Sequence, residues 1–362
     1  MRGFAVIAVI LIGVSAAAGQ IDPRTALLER TAWDALAAGH PSAAAAAFRE
    51  ALAADPKNAR LHLGAAVAAS LDRRDNDAKS EAEQALALDP TLHVARALLG
   101  QILYRQKDLP GAIRTYELLA AQAADGSDAR DARATLTRWR REQELLERMQ
   151  QAVGTHFTVS FEGPEEAELA TQAIAALDRA YWRIGEVFAV YAVDPIGVVL
   201  YTTEQFRDIT RSPTWAAGAY DGIIRVPMRG ALEQSAELER VLAHEFTHAL
   251  IHSLAPRGVP AWLNEGLATT LEASDANWSP QQLAGASPPA LEQLQRGFGR
   301  LSGRDAILAY ATSAVAARRL LESAGGVAVA NLLRDLGAGT PFDAAFLHRI
   351  QRSFSQFQAE LF

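Results

Sequence analysis

The sequence predicts a chain in two parts, an array of paired α-helices followed by an α+β domain. Three observations carry this. Residues 25–125 are self-similar at a period of 34, the length of one helix pair with its turns. Residues 155–227 switch to short alternating or apolar runs bounded by Gly and Pro, which read as strands. A long helix follows, apolar on most sides yet carrying His244, Glu245 and His248.

Composition bounds what these parts can do. At 362 residues the chain has room for two or three domains, and 49% hydrophobic against 21% charged residues is ordinary for globular protein. The net charge of −7 and the lack of a basic patch make nucleic acid a poor partner. There is no cysteine, which excludes disulfides, thiolate ligands and cysteine nucleophiles.

Residues 1–20 read as a secretory signal outside the fold. Arg2 gives a positive start, Phe4 to Val14 is apolar, and Ala16-x-Ala18 offers small residues for cleavage. An uncleaved anchor is the alternative, although eleven apolar residues fall short of the about 20 a span needs. The expectation is an exported, periplasmic protein with no membrane span after cleavage.

In the array, Ala44, Ala78 and Ala112 are each 34 apart, as are Ala51 and Ala85, and Asp55-Pro56 and Asp89-Pro90. Phe48 and Tyr116 lie two periods apart, and Leu99-Gly100 supplies the small-residue step of a third unit. Small alanines let helices cross closely, the aromatic fills the gap to the next unit, and proline ends the second helix. The alternative is an alanine-rich bundle without repeats. Residues 126–151, with Trp139, Leu145 and Met149, read as an amphipathic capping helix. The pattern of residues 25–125 resembles three tetratricopeptide repeats. The resemblance implies an α-solenoid whose concave side binds a protein or peptide partner.

Residues 156–161 alternate like a strand, 165–191 read as a long helix with Leu169, Ile174, Leu177, Tyr181, Ile184 and Phe188 on its apolar side, and 196–201 read as a second strand. A short helix is expected from Thr203, capped by Thr202 or Thr203. Residues 222–227 read as a third strand, and Pro227 marks it as an edge. Arg225 on it is either a substrate contact or a solvated surface residue. Residues 274–304 read as a loop with a short helix near 290–294, and helices are expected over 305–323, 327–336 and 342–357.

His244 and His248 are four residues apart, hence about 40° apart around a helix, so both imidazoles project from one face and can share a metal ion. Glu245 sits about 100° further round, near enough to reach a water on the metal but badly placed to ligate it. Catalytic zinc takes three protein ligands and keeps a position open, and Glu265, 17 residues after His248, supplies the third. Leu238, Val241, Leu242, Phe246, Ala249, Leu250 and Ile251 bury the helix, and buried polar groups need partners. One Zn2+ per chain is the expectation. His252 continues the same face but lies about 6 Å further along the axis, out of ligand position. Asn264 either orients the Glu265 carboxylate or caps its helix.

His244-Glu245-x-x-His248 followed by Trp262-Leu263-x-Glu265-Gly266-Leu267-Ala268 resembles the gluzincin metallopeptidases, most closely the bacterial peptidase MA-like domains. Gly218 to Pro227 resembles the strand before their active-site helix, and Tyr310 to Ser313 the start of the helix that closes the domain. In all, the likeness covers residues 155–350. The connection from His248 to Glu265 is slightly short, so the Ala255-Pro256-Arg257-Gly258 loop must be tight. The resemblance implies a zincin-like domain that hydrolyses peptide bonds, with Glu245 as general base. It also implies Tyr310, or less favourably Tyr220, as donor to the oxyanion. The competing reading is an inactive peptidase-like scaffold with the repeats as its working part. A zinc hydrolase acting on non-peptide substrates is a third.

Overall fold

A computed structural model describes residues 22–122, 126–163, 166–202, 205, 219–220, 222–227, 235–272, 278–295, 297–298, 301 and 303–361. The expected signal segment and most of the short helix near Thr203 lie outside these residues. The chain is mostly helical with one small sheet, and it divides into two compact units, Met1–Gln143 and Glu144–Phe362.

The first unit is built from successive helices: α1 (Pro23–Ala37), α2 (Pro41–Ala54), α3 (Ala59–Leu71), α4 (Asp75–Leu88), α5 (His93–Arg105) and α6 (Leu109–Gln122). Helices α2, α4 and α6 start at residues 41, 75 and 109 and end at 54, 88 and 122, so both bounds advance by 34. The repeated alanines are what the helices press together: Ala44, Ala78 and Ala112 are fully buried, as are Ala51 and Ala85. Asp55 and Asp89 end α2 and α4, and the proline after each cannot continue the helix. Tyr116 needs the missing side chain of Gly100, where an added Cβ would sit 2.4 Å from its ring. A seventh helix, α7 (Ser127–Arg148), follows. Its fully buried Trp139 stacks on Tyr104 at 4.9 Å and meets Tyr116 edge-on at 4.5 Å. This helix stops at Arg148 rather than near 151, because the next residues join the sheet.

The sheet of the second unit has the order β1-β2-β3-β5-β4. The strands are β1 (Gln150–Val153), β2 (Phe157–Phe161), β3 (Ile196–Tyr201), β4 (Ala219–Tyr220) and β5 (Ile224–Pro227). Strands β2, β3 and β5 run parallel, while β1 and β4 are antiparallel additions at the two edges. Two expectations change here. The second unit begins upstream of residue 155, because β1 pairs with β2. And β5 is not an edge: Ala219 and Tyr220 pair with Arg225 and Ile224, so β4 covers it. Neither edge strand shows an alternating apolar pattern, β1 because it is mostly exposed and β4 because it has only two residues.

The parallel β2–β3 pair is joined through α8 (Ala167–Phe188), whose Leu169, Leu177, Tyr181, Ile184 and Phe188 enter the core as the periodicity requires. Beyond the sheet come α9 (Ser235–Leu254), α10 (Ala261–Leu271), α11 (Trp278–Leu283), a 3-10 turn (Leu291–Leu294), α12 (Gly303–Ala324) and α13 (Gly326–Gly337). The expected helix over 342–357 is two helices, α14 (Phe342–Ile350) and α15 (Phe354–Ala359). Gln351 adopts a left-handed conformation between them, and Ser353 with Gln356 forms a capping box that restarts the chain. Phe354 and Phe357 stack on Trp262 at 5.8 and 6.4 Å, so the core extends past residue 350.

Candidate metal centre

Helix α9 carries the trio. Its apolar positions are buried as expected: Leu242 and Phe246 are fully enclosed, and Leu238, Val241, Ala249, Leu250 and Ile251 nearly so. The chain leaves α9 through a tight turn closed by Gly258 N–H donating to the Ala255 carbonyl at 2.9 Å. It re-enters helix at Ala261, so α10 returns against α9. The residue before α10 is Pro260, which places Asn264 inside the helix. Asn264 therefore does not cap it, and it lines the cleft instead.

Three donor atoms converge between these helices. His248 Nε2 lies 3.2 Å from His244 Nε2, and Glu265 Oε2 lies 3.7 Å from the first imidazole and 3.6 Å from the second. Zinc bonds of about 2.0–2.1 Å in a tetrahedron put ligand atoms about 3.3 Å apart. The observed spacings are close to that edge, and two neutral nitrogens with one carboxylate are a zinc-type donor set, so the residues fit the ion. Burial opposes charge on His244, but the Glu265 carboxylate 3.7 Å away and the hydrogen bond to Glu272 outweigh it and raise its pKa to about 10. Glu265 is also opposed by burial, yet the two histidines hold its carboxyl far below the usual range.

Glu245 stands outside this donor group. It is 5% exposed, and its Oε2 has no partner among the described residues. Burial raises its carboxyl above the usual range, which brings a carboxylate towards the range of a base working near neutrality. All four residues open onto one cleft of about 850 Å³.

Tyr310 lines the same cleft, ring edge-on to Phe298 at 5.2 Å. It stands two turns inside α12, not at the start of that helix, which begins at Gly303. Burial, then the charges of Glu265, Glu245 and Glu272, raise its phenol and keep it a proton donor. Gly266 explains how α12 reaches the site. A Cβ there would lie 2.2 Å from the Ser313 carbonyl, so only glycine permits α10 and α12 to cross this closely. Tyr220 and His252 also line the cleft, their rings 5.7 Å apart, and His252 stands outside the donor group.

Arg225 meets neither expectation. It is 4% exposed and donates to the Tyr201 hydroxyl at 2.6 Å, so it is neither solvated nor in the cleft. The partner is a neighbouring-strand residue, which a single strand's pattern does not reveal.

One residue of the site escaped the sequence reading. Glu272 is 7% exposed and accepts from His244 Nδ1 at 2.7 Å. The signal was present: seven residues after Glu265 is two turns of helix, so both carboxylates share one face of α10. Arg240, one turn before His244, donates to the other Glu272 oxygen at 2.8 Å.

No protein-family model matches the chain, and no curated protein matches it. The site itself therefore carries the functional argument.

Proposed function

We propose that the second unit is a zinc-dependent peptidase of the gluzincin kind, and that the first is a tetratricopeptide-type array recruiting a protein substrate or partner. One observation carries the reading. His244, His248 and Glu265 bring two imidazole nitrogens and a carboxylate oxygen to one point, beside a buried Glu245 with an oxygen unpartnered among the described residues. Buried polar groups need partners, and a shared metal ion would supply one.

When bound, zinc supplies Lewis acidity that makes water nucleophilic near neutral pH. Glu265 and the two imidazoles hold the ion. Glu245 takes the proton of the attacking water and passes it to the leaving amine. Tyr310, neutral and facing the cleft, donates to the oxygen on which charge develops. A peptide suits the cleft because β4, the end strand of the sheet among the described residues, brings Tyr220 to its rim, and an extended chain pairs with such an edge through main-chain hydrogen bonds. The array reading rests on the 34-residue recurrence of helix bounds and buried alanines. The export reading rests on residues 1–20, and no described helix is long and apolar enough to cross a membrane.

The test is metal content and peptide hydrolysis of the purified chain. One zinc per chain is expected, lost in His244→Ala and Glu265→Ala. Glu245→Gln is expected to keep the metal and lower turnover by about 10²–10⁴-fold. A folded chain that takes up no zinc after dialysis against it ends the peptidase reading and moves attention to the array. Zinc binding with hydrolysis only of non-peptide substrates would leave the metal centre and change the reaction class.

A further inference from the structure

The two histidines are supported differently from behind. His248 Nδ1 is buried and has no partner among the described residues. His244 Nδ1 meets Glu272, and Glu272 is itself held. Its Oε2 accepts from the imidazole at 2.7 Å and its Oε1 accepts from Arg240 Nη1 at 2.8 Å. Arg240 is fixed in turn on its other side, where Nε and Nη2 donate to both oxygens of Glu237 at 2.9 and 2.5 Å. Glu237, Arg240 and His244 follow one another at helical spacing along α9, while Glu272 reaches in from the end of α10. The result is a row of alternating charge that ends on one ligand.

We propose that Arg240 is a positioning residue for the metal centre: by locking Glu272, it fixes His244 with Nδ1 as donor and Nε2 aimed at the ion. This rests on the reading of the site as a metal centre. Glu272 has to be correctly rotated to orient the ring. A carboxylate holds its rotation when both its oxygens are engaged. The Arg240 guanidinium engages the second oxygen, because its planar fork spans two carboxylates at once; a lysine presents a single point charge. His244 is thus the anchored ligand. His248 Nδ1 has no such anchor among the described residues.

The experiment is a double-mutant cycle on zinc affinity, measured by chelator competition with the full chain. Glu272→Ala is expected to weaken zinc binding by about 10–100-fold, the usual effect of removing a ligand's supporting partner. Arg240→Met is expected to weaken it by about tenfold, within the same range. The double variant should bind no more weakly than Glu272→Ala alone, because Arg240 acts through Glu272. The visible spectrum of the Co2+-loaded protein gives a second readout, and it should shift in Arg240→Met as the imidazole reorients. Should Arg240→Met not fold, Arg240→Lys enters the same cycle. Wild-type affinity in the Arg240 variant, or an effect that adds in full to that of Glu272→Ala, overturns the proposal. A wild-type chain that binds no zinc overturns the metal reading itself, and this proposal with it.

Discussion

The two units bury their helices on opposite principles. In the first, what goes inside is alanine, branched aliphatic side chains and a few aromatic rings. The buried ionisable groups Asp72, Arg96 and Glu142 bond to Arg74, the Pro90 carbonyl and Tyr104, and of their atoms only Arg96 Nε has no partner among the described residues. In the second, α9 takes two histidines and a glutamate into a region of apolar packing and leaves a Glu245 oxygen and His248 Nδ1 without partners among the described residues. Apolar burial stabilises a fold and needs no other reason. An ionisable group buried without a partner costs stability, by about 1–3 kcal/mol or more, so it points to a ligand or a reaction. On the proposed function, the contrast separates residues that hold the molecule together from residues held for chemistry.

That contrast is open to direct attack. The largest effect expected is on turnover, where the loss in Glu245→Gln corresponds to about 3–5 kcal/mol of transition-state stabilisation. The same substitution should leave the melting temperature unchanged or raise it, since it removes a buried charge. A clear fall in melting temperature would place Glu245 among the structural residues and erase the distinction. Next comes Phe48→Ala in the array, where a fully buried ring is lost and about 3–5 kcal/mol of stability should go with it. Denaturant unfolding followed by Trp33, which packs edge-on to Phe48 at 5.3 Å, reads this directly.

Gly266→Ala tests a residue that serves both purposes. The new Cβ would meet backbone, the Ser313 carbonyl, which cannot swing aside as a side chain can. Overpacking of this kind costs about 1–3 kcal/mol, and here it should also separate α10 from α12. Reduced stability with zinc affinity intact would show that the helix crossing and the site are independent.

The last test is of pH, step by step. In the metal-free chain the His244 pKa is raised to about 10, above the ordinary value of about 6.5. Its protonated form therefore adds stability that is fully present below pH about 6.5 and is lost as pH rises through about 10. Zinc must displace that proton, so apparent affinity should rise about tenfold per pH unit and level off above pH about 10. Chelator competition across that range checks it. Affinity that falls as pH rises from 6 to 9 would contradict the sign.

How much of the site was legible follows from the range of each interaction. His244, Glu245 and His248 were readable because helical geometry alone fixes their directions. Glu265 was readable because the proposed zinc site needs one more donor and the chain supplies a carboxylate on the next helix. Glu272 had the same helical signal, two turns beyond Glu265, yet nothing local says that a second carboxylate should face His244. The position of Arg225 depended on Tyr201 in a neighbouring strand, and a single strand's pattern could not choose between solvent and burial. The same limit applies to the sheet edges, where β4 pairs over β5 although Pro227 suggested an open edge.

The sequence by itself determined the 34-residue rhythm of the first unit, the buried character of α9 and the spacing that puts two imidazoles on one face. These are consequences of periodicity, which any stretch of chain carries within itself. Tertiary packing alone set Glu272 and Arg240 behind His244 with no described residue meeting His248 Nδ1, brought Tyr310 into the cleft from the interior of a helix, and made Gly266 the point of close approach. These depend on which surfaces of distant segments meet, and that is set by packing the whole core at once, not by any local pattern.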